Sequence, residues 1–137
     1  MKYLSEYMEN GQTELFNKTG AFFAFGKKQF DEQKVEGVKY ASCGMGLICP
    51  TDQVDVVRQG LKQIADDAMA EDIKDNGVSG IIEREYFNYE CQISCSTEDA
   101  ENALKGYQVR YPKSFTDERM QKVFGKCYKK AIRNDWF

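Results

Sequence analysis

The chain has no histidine among its 137 residues, and its five cysteines (Cys43, Cys49, Cys91, Cys95 and Cys127) form no Cys-x-x-Cys pair. The first absence removes the usual base of nucleophilic triads and the commonest metal ligand, because histidine alone has an unperturbed pKa near neutrality. The second removes the usual zinc and dithiol spacing. Proline is confined to Pro50 and Pro112, and no Pro/Ser-rich linker, internal repeat or low-complexity stretch interrupts the sequence. The longest apolar run, Ala21 to Phe25 before Gly26, falls far short of the roughly 20 residues that span a bilayer. The start, Met1-Lys2-Tyr3-Leu4-Ser5-Glu6, has no apolar signal-peptide region. These absences predict a soluble, cytoplasmic chain with reduced thiols, no membrane contact, no metal and no cofactor.

What is present suits a folded core. Hydrophobic residues make up 42% and aromatics 13% of the chain, which argues against disorder and for one globular domain over residues 1–137. Residues 2–18 carry apolar positions at mixed three- and four-residue spacings interrupted by Asn10-Gly11, so they predict one helix or a broken pair ended by Gly20. Ala21–Phe25 reads as a strand, and Val38–Cys43 and Leu47–Cys49 flank Gly44-Met45-Gly46 as the arms of a hairpin. Pro50 and Thr51 open the clearest helix and Asn76-Gly77 stop it. Val54, Val57, Leu61, Ile64, Ala65 and Ala68 fall on one stripe of that helix. Asp72 lies at the angle of Val54, so either the stripe ends before it or a carboxylate reaches the rim of the core, where it needs a partner.

Residues 79–95 fit a strand by alternation and a helix by the spacing of Ile82, Tyr86, Tyr89 and Ile93, and the helical reading is favoured. Ser79 can cap it. Ser96-Thr97-Glu98-Asp99 starts a short helix stopped by Gly106, and Tyr107–Tyr111 alternates like a strand. A last helix runs from Thr116 to about Asn134 with Met120, Val123, Phe124, Cys127, Tyr128 and Ala131 on one side. The expected class is α+β, with three to five helices and a small antiparallel sheet between Ala21 and Cys49.

The most specific surface signal is cationic. Arg119, Lys122, Lys126, Lys129, Lys130 and Arg133 share an arc opposite the apolar side of the last helix. Residues 113–137 hold seven cations against three acids, net +4, while the other 112 residues hold 12 against 19, net −7. Such a face neutralises phosphates, docks an acidic protein surface, or is simply a solvated helix side with cations toward the helix C-terminus. A pI near 5.1 weakens the phosphate reading, because non-specific nucleic-acid binders are basic as whole domains. The acidic counterpart (Asp52, Asp55, Asp66, Asp67, Glu71, Asp72 and Asp75) is diluted by Arg58, Lys62 and Lys74 and lacks EF-hand spacing. Cys91-x-x-x-Cys95 has tolerable zinc spacing, and Cys43 with Cys49 has poor spacing. Trp136-Phe137 is expected to pack back on the core, and an exposed pair would instead make an interface anchor.

Glu14 to Phe25, and again Ile81 through Leu104, resemble small uncharacterised proteins of gut-bacterial phages and prophages. Where that group reads Asn-His-Glu, this chain reads Asn88-Tyr89-Glu90, so the histidine and any acid–base or metal role for it are missing. The group has no established activity. Small phage accessory proteins often act by blocking a host defence enzyme, so the resemblance implies a bacterial host cytoplasm and a host protein as partner. The expected function is a non-enzymatic interaction protein, a phage-encoded inhibitor of a host nucleic-acid-targeting defence. Its contact surface would be Arg119, Lys122, Lys126, Lys129, Lys130 and Arg133. The alternative is a nucleic-acid-binding accessory protein using the same face. A third reading, a small enzyme, would use Glu85, Tyr86, Asn88 and Glu90 as acid/base and polar groups.

Overall fold

A computed structural model describes all residues, Met1–Phe137. The chain is α+β, and its internal contacts divide it into two compact units, Lys2–Ala68 and Met69–Phe137, the latter joined by Met1. No helix is long and apolar enough to cross a membrane.

The first unit opens with α1 (Leu4–Thr19), a continuous helix closed by Gly20 at φ 82°. Asn10-Gly11 does not break it. A Cβ on Gly11 would sit 3.1 Å from Ile64 Cγ1, and one on Gly60 would sit 2.7 Å from Leu15 Cδ1. The two glycines are reciprocal notches in an antiparallel helix pair, each receiving the other helix's side chain. Gly11 is therefore a packing residue.

Strands β1 (Phe22–Phe23), β2 (Tyr40–Gly44) and β3 (Leu47–Pro50) form an antiparallel sheet in the order β1-β3-β2. Its position and its hairpin turn agree with the sequence. Between β1 and β2 lies α2 (Lys27–Gln33), which the sequence did not announce. Its single large apolar residue, Phe30, packs against the rings of Phe22 and Tyr40 at 6.2 and 5.5 Å. The side-chain amides of Gln29 and Gln33 bond the Phe25 amide and the Phe23 carbonyl. A 3₁₀ turn (Thr51–Gln53) leads into α3 (Val54–Asn88). Val57 joins Ala21, Leu47 and Cys49 in a buried cluster, with Phe16, Val54 and Leu61 packed against it.

Helix α3 is interrupted at Gly77, with φ 71° and ψ 162°, a region that only glycine enters without strain. Space is not the reason for glycine there, since an added Cβ would meet nothing within 4 Å. The helix restarts directly after Gly77, so Ser79 is not a cap. Residues 79–95 are helical to Asn88, then pass through Glu90 at φ 51° into the single turn α4 (Cys91–Ser94).

The other helices of the second unit are α5 (Glu98–Arg110) and α6 (Asp117–Asn134), which brings the count to six. The expected strand over Tyr107–Tyr111 is not formed. Helix α5 continues through Gly106, whose missing side chain leaves room for Met69 Cε, 2.9 Å from where a Cβ would stand. The Tyr111 amide still bonds the Tyr107 carbonyl at 2.7 Å. Tyr107 is buried and Val109 is 78% exposed, as a helix requires and a one-sided strand does not. Helix α6 begins where Thr116 Oγ1 accepts the Arg119 amide at 3.1 Å and buries Met120, Phe124, Cys127 and Ala131.

Val57 is fully buried and Leu61 only partly so, and a charge costs more where water cannot reach it. Val57→Asp is expected to destabilise the chain by about 3 kcal/mol or more, and Leu61→Asp by clearly less. Urea denaturation followed by circular dichroism reads this order. Equal midpoints for the two variants would show that Val57 is not the core of the sheet unit.

Candidate functional site

The second unit is organised around a buried ion pair. Asp72 and Arg84 lie 12 positions apart on α3, a separation of about 18 Å along a straight helix. Yet Arg84 Nη1 and Nη2 reach Asp72 Oδ1 and Oδ2 at 2.8 and 3.0 Å, a bidentate pair that exists only because the chain turns at Gly77. Asn76 Nδ2 adds a bond to Asp72 Oδ1 at 2.7 Å, and the Tyr107 hydroxyl from α5 donates to Oδ2. Arg84 Nε completes the network on Glu85 Oε1 at 3.0 Å.

Burial by itself would raise the Asp72 pKa. The hydrogen bonds from Arg84, Tyr107 and Asn76, with the Arg84 charge, outweigh it and hold the carboxyl below its ordinary 3.8. Burial would lower the Arg84 pKa, but Asp72 more than restores it. Burial and the adjacent carboxylate push the Tyr107 hydroxyl up. Asp72 is 0% exposed, so this cluster lies in the core of the unit. The core angle noted for Asp72 was the sequence signal for it, and its partners were not.

The accessible site is the outer side of α6. Arg119, Lys122, Lys126, Lys129 and Arg133 are exposed, and Lys130 is partly so. Lys130 Nζ bonds Glu83 Oε1 at 2.8 Å and lies 5.6 Å from the centre of the Trp136 ring. Arg119 Nη2 reaches Ser79 Oγ at 3.5 Å. Lys122, Lys126, Lys129 and Arg133 make no ion pair or side-chain hydrogen bond. Three of the cations (Arg119, Lys122 and Lys126) rim a depression of about 370 Å³ shared with Ser79, Thr116, Glu118 and Val123. A second depression of about 150 Å³, where Glu83, Cys127 and Lys130 join Ser79, Val123 and Lys126, continues it. The site is thus a shallow groove between α6 and the part of α3 beyond Gly77. Ser79 and Thr116, far from one another in sequence, supply its hydroxyls.

The four residues of the enzyme reading have different surroundings. Glu85 is buried on Arg84. Tyr86 is buried edge-on to Phe87 and tilted against Phe124, with its hydroxyl pushed up to about 12 by burial. Asn88 and Glu90 are exposed. Asp72, grouped in sequence with the acidic surface row, is in the core. The zinc grouping is not assembled, because no three His, Cys, Asp or Glu side chains cluster to hold a metal. Trp136 and Phe137 do not bury themselves. They pack edge-on to Phe87 and Tyr128 and stay 45% and 60% exposed.

A protein family of unknown function, DUF7659, matches residues 4–130. The chain belongs to this family. No curated protein and no solved structure matches it. The DUF7659 match runs from the start of α1 into the last turns of α6 and takes in Ser79, Thr116 and every cation of the face except Arg133.

Asp72→Asn is expected to cost about 3–5 kcal/mol, because it leaves Arg84 buried against a neutral amide. The folded pKa of Asp72 is depressed, so its stabilisation is present above the unfolded value of about 3.9 and is lost as pH falls through the folded one. Stability measured by denaturant titration should therefore drop below pH about 4 in the natural chain, and the acid limb should be shallower in Asp72→Asn. Superimposable limbs would remove the ion pair from its place in the unit.

Proposed function

We propose that this protein works by binding, and that the outer side of α6 docks on an acidic surface of a partner protein. The observation that carries the reading is the set of four cations, Lys122, Lys126, Lys129 and Arg133, that hold no partner within the chain while sharing one exposed helix side. Cations retained without internal partners on a net-negative chain suit charge-steered association. A groove of about 370 Å³ with hydroxyls and a Val123 floor accommodates one or two partner side chains. The different surroundings of Glu85, Tyr86, Asn88 and Glu90 support binding over catalysis.

The lining also favours a protein over nucleic acid as partner. Glu118 and Glu83 stand among the cations of the two depressions. Glu83 is answered by Lys130 at 2.8 Å, but a protein surface can also answer Glu118, which a phosphate backbone meets only with repulsion. The resemblance to phage and prophage proteins supplies the setting. In it the partner is a host enzyme of a nucleic-acid-targeting defence, and docking blocks that enzyme.

The test reverses Lys122, Lys126 and Lys129 to Glu together. Exposed substitutions of this kind usually stay within about 0.5 kcal/mol each, so the triple variant should melt close to the natural chain. It should lose the protein that co-purifies from the native host, and the natural chain should show no submicromolar binding to generic DNA or RNA at physiological salt. Tight nucleic-acid binding whose logarithm falls linearly with log salt would replace this reading with the nucleic-acid one.

A further inference from the structure

In the hairpin, Ala41 stands opposite Cys49 and Ser42 opposite Ile48, and then the register slips so that Gly44, not Cys43, faces Leu47. Cys43 is thus the extra residue of a β-bulge, a device that re-aims a side chain. Its Sγ lies 3.2 Å from Cys49 Sγ. Sulfurs in a disulfide stand about 2.05 Å apart, so closure asks for a movement of roughly 1 Å. The bulge and Gly44 and Gly46 of the turn can absorb it. Cys43 is exposed and Cys49 is completely buried.

We infer that Cys43 and Cys49 form a redox pair, with Cys43 the thiol that a small disulfide such as glutathione disulfide reaches and Cys49 the thiol that resolves the adduct. The Cys43 thiolate attacks one sulfur of glutathione disulfide, the glutathione S–S bond breaks, and the first glutathione leaves as thiolate and takes up the Cys43 proton. Cys49 then gives its proton to solvent base and attacks the Cys43 sulfur. The bond between Cys43 and glutathione breaks, and the second glutathione leaves and is protonated. Two protein thiols are oxidised to one disulfide, and one glutathione disulfide is reduced to two glutathiones.

The surroundings set the order of these steps. Burial first, then the hydrogen bond and charge of Cys43, push the Cys49 thiol up to about 11, with the Asp52 carboxylate adding to the shift and the Arg58 guanidinium opposing it. Capping Cys43 with glutathione removes the Cys43 thiol as a partner, while burial, the largest cause, keeps Cys49 protonated until solvent base takes its proton. The other cysteines lack this arrangement. Burial raises the thiols of Cys91 and Cys127. Cys95 is exposed, but its sulfur meets the Ile93 carbonyl at 3.9 Å and no second thiol.

The full-length chain is equilibrated with glutathione disulfide, its free thiols are alkylated, and the products are read by intact mass and peptide mapping. The expected product has the Cys43 and Cys49 peptides linked, two hydrogens lighter at that pair, and one glutathione added at Cys95. Cys43→Ser, at an exposed position, should keep its fold by circular dichroism and abolish the link. Cys49→Ala should leave Cys43 as a stable glutathione adduct. In the natural chain, conversion of that adduct to the link should quicken about tenfold per pH unit around neutrality, since the attacking species is the Cys49 thiolate. The inference is overturned if Cys43 retains glutathione in the natural chain, or if it stays free under conditions that modify Cys95.

Discussion

A guanidinium and a carboxylate twelve positions apart on one helical run can bond only if the run folds back, and everything in the helical unit follows from the fact that Asp72 and Arg84 do. A buried pair of this kind adds little net stability over a well-packed apolar alternative, because desolvation consumes most of the attraction. What it selects is geometry. With both oxygens of Asp72 occupied by Arg84, and Tyr107 and Asn76 taking further lone pairs, few other rotations of the segment after Gly77 satisfy the buried charges. That orientation puts Ile81, Ile82 and Tyr86 inward and leaves Ser79 and Glu83 on the side that α6 approaches.

Two groups of charge stand apart in this unit. Asp72 and Glu85 are inside, each bonded to Arg84. Lys122, Lys126, Lys129 and Arg133 are outside and bonded to nothing in the chain. The first group makes the second possible in its observed place, since α6 is seated on the reoriented segment through the Tyr86–Phe124 ring contact at 5.6 Å and the Lys130–Glu83 pair at 2.8 Å. Family membership in DUF7659 adds the extent of the shared sequence and no activity, so the functional reading stands on this distribution of charge and on the groove.

Much of the fold was legible where a residue's local physics and its tertiary role coincide. Gly20 ends α1, the two glycines around Met45 turn the hairpin, and the 3.6-residue periodicity of α6 separates its apolar and cationic sides. Legibility failed where tertiary contact overrode local pattern. Gly11 and Gly106 look like breaks in one dimension and are contact points in three. The alternation of Tyr107, Val109 and Tyr111 mimics a strand by coincidence, because Tyr107 is held in α5 by a carboxylate 35 positions away. Helix α2 offered too short a window, since Phe30 is its only large apolar residue. The cations of the site were readable from spacing alone. Its groove was not, because Ser79 and Thr116 reach it from separate elements.

The chain has one tryptophan, and it stands beside this face. Trp136 is 45% exposed, edge-on to Phe87 at 5.5 Å, with the Lys130 ammonium 5.6 Å from its ring centre. Indole emission responds to nearby charge and to water at the ring. A partner that covers the C-terminal end of α6, or draws Lys130 away from the indole, therefore changes the only tryptophan fluorescence in the molecule, which makes the protein its own unlabelled optical reporter of docking there.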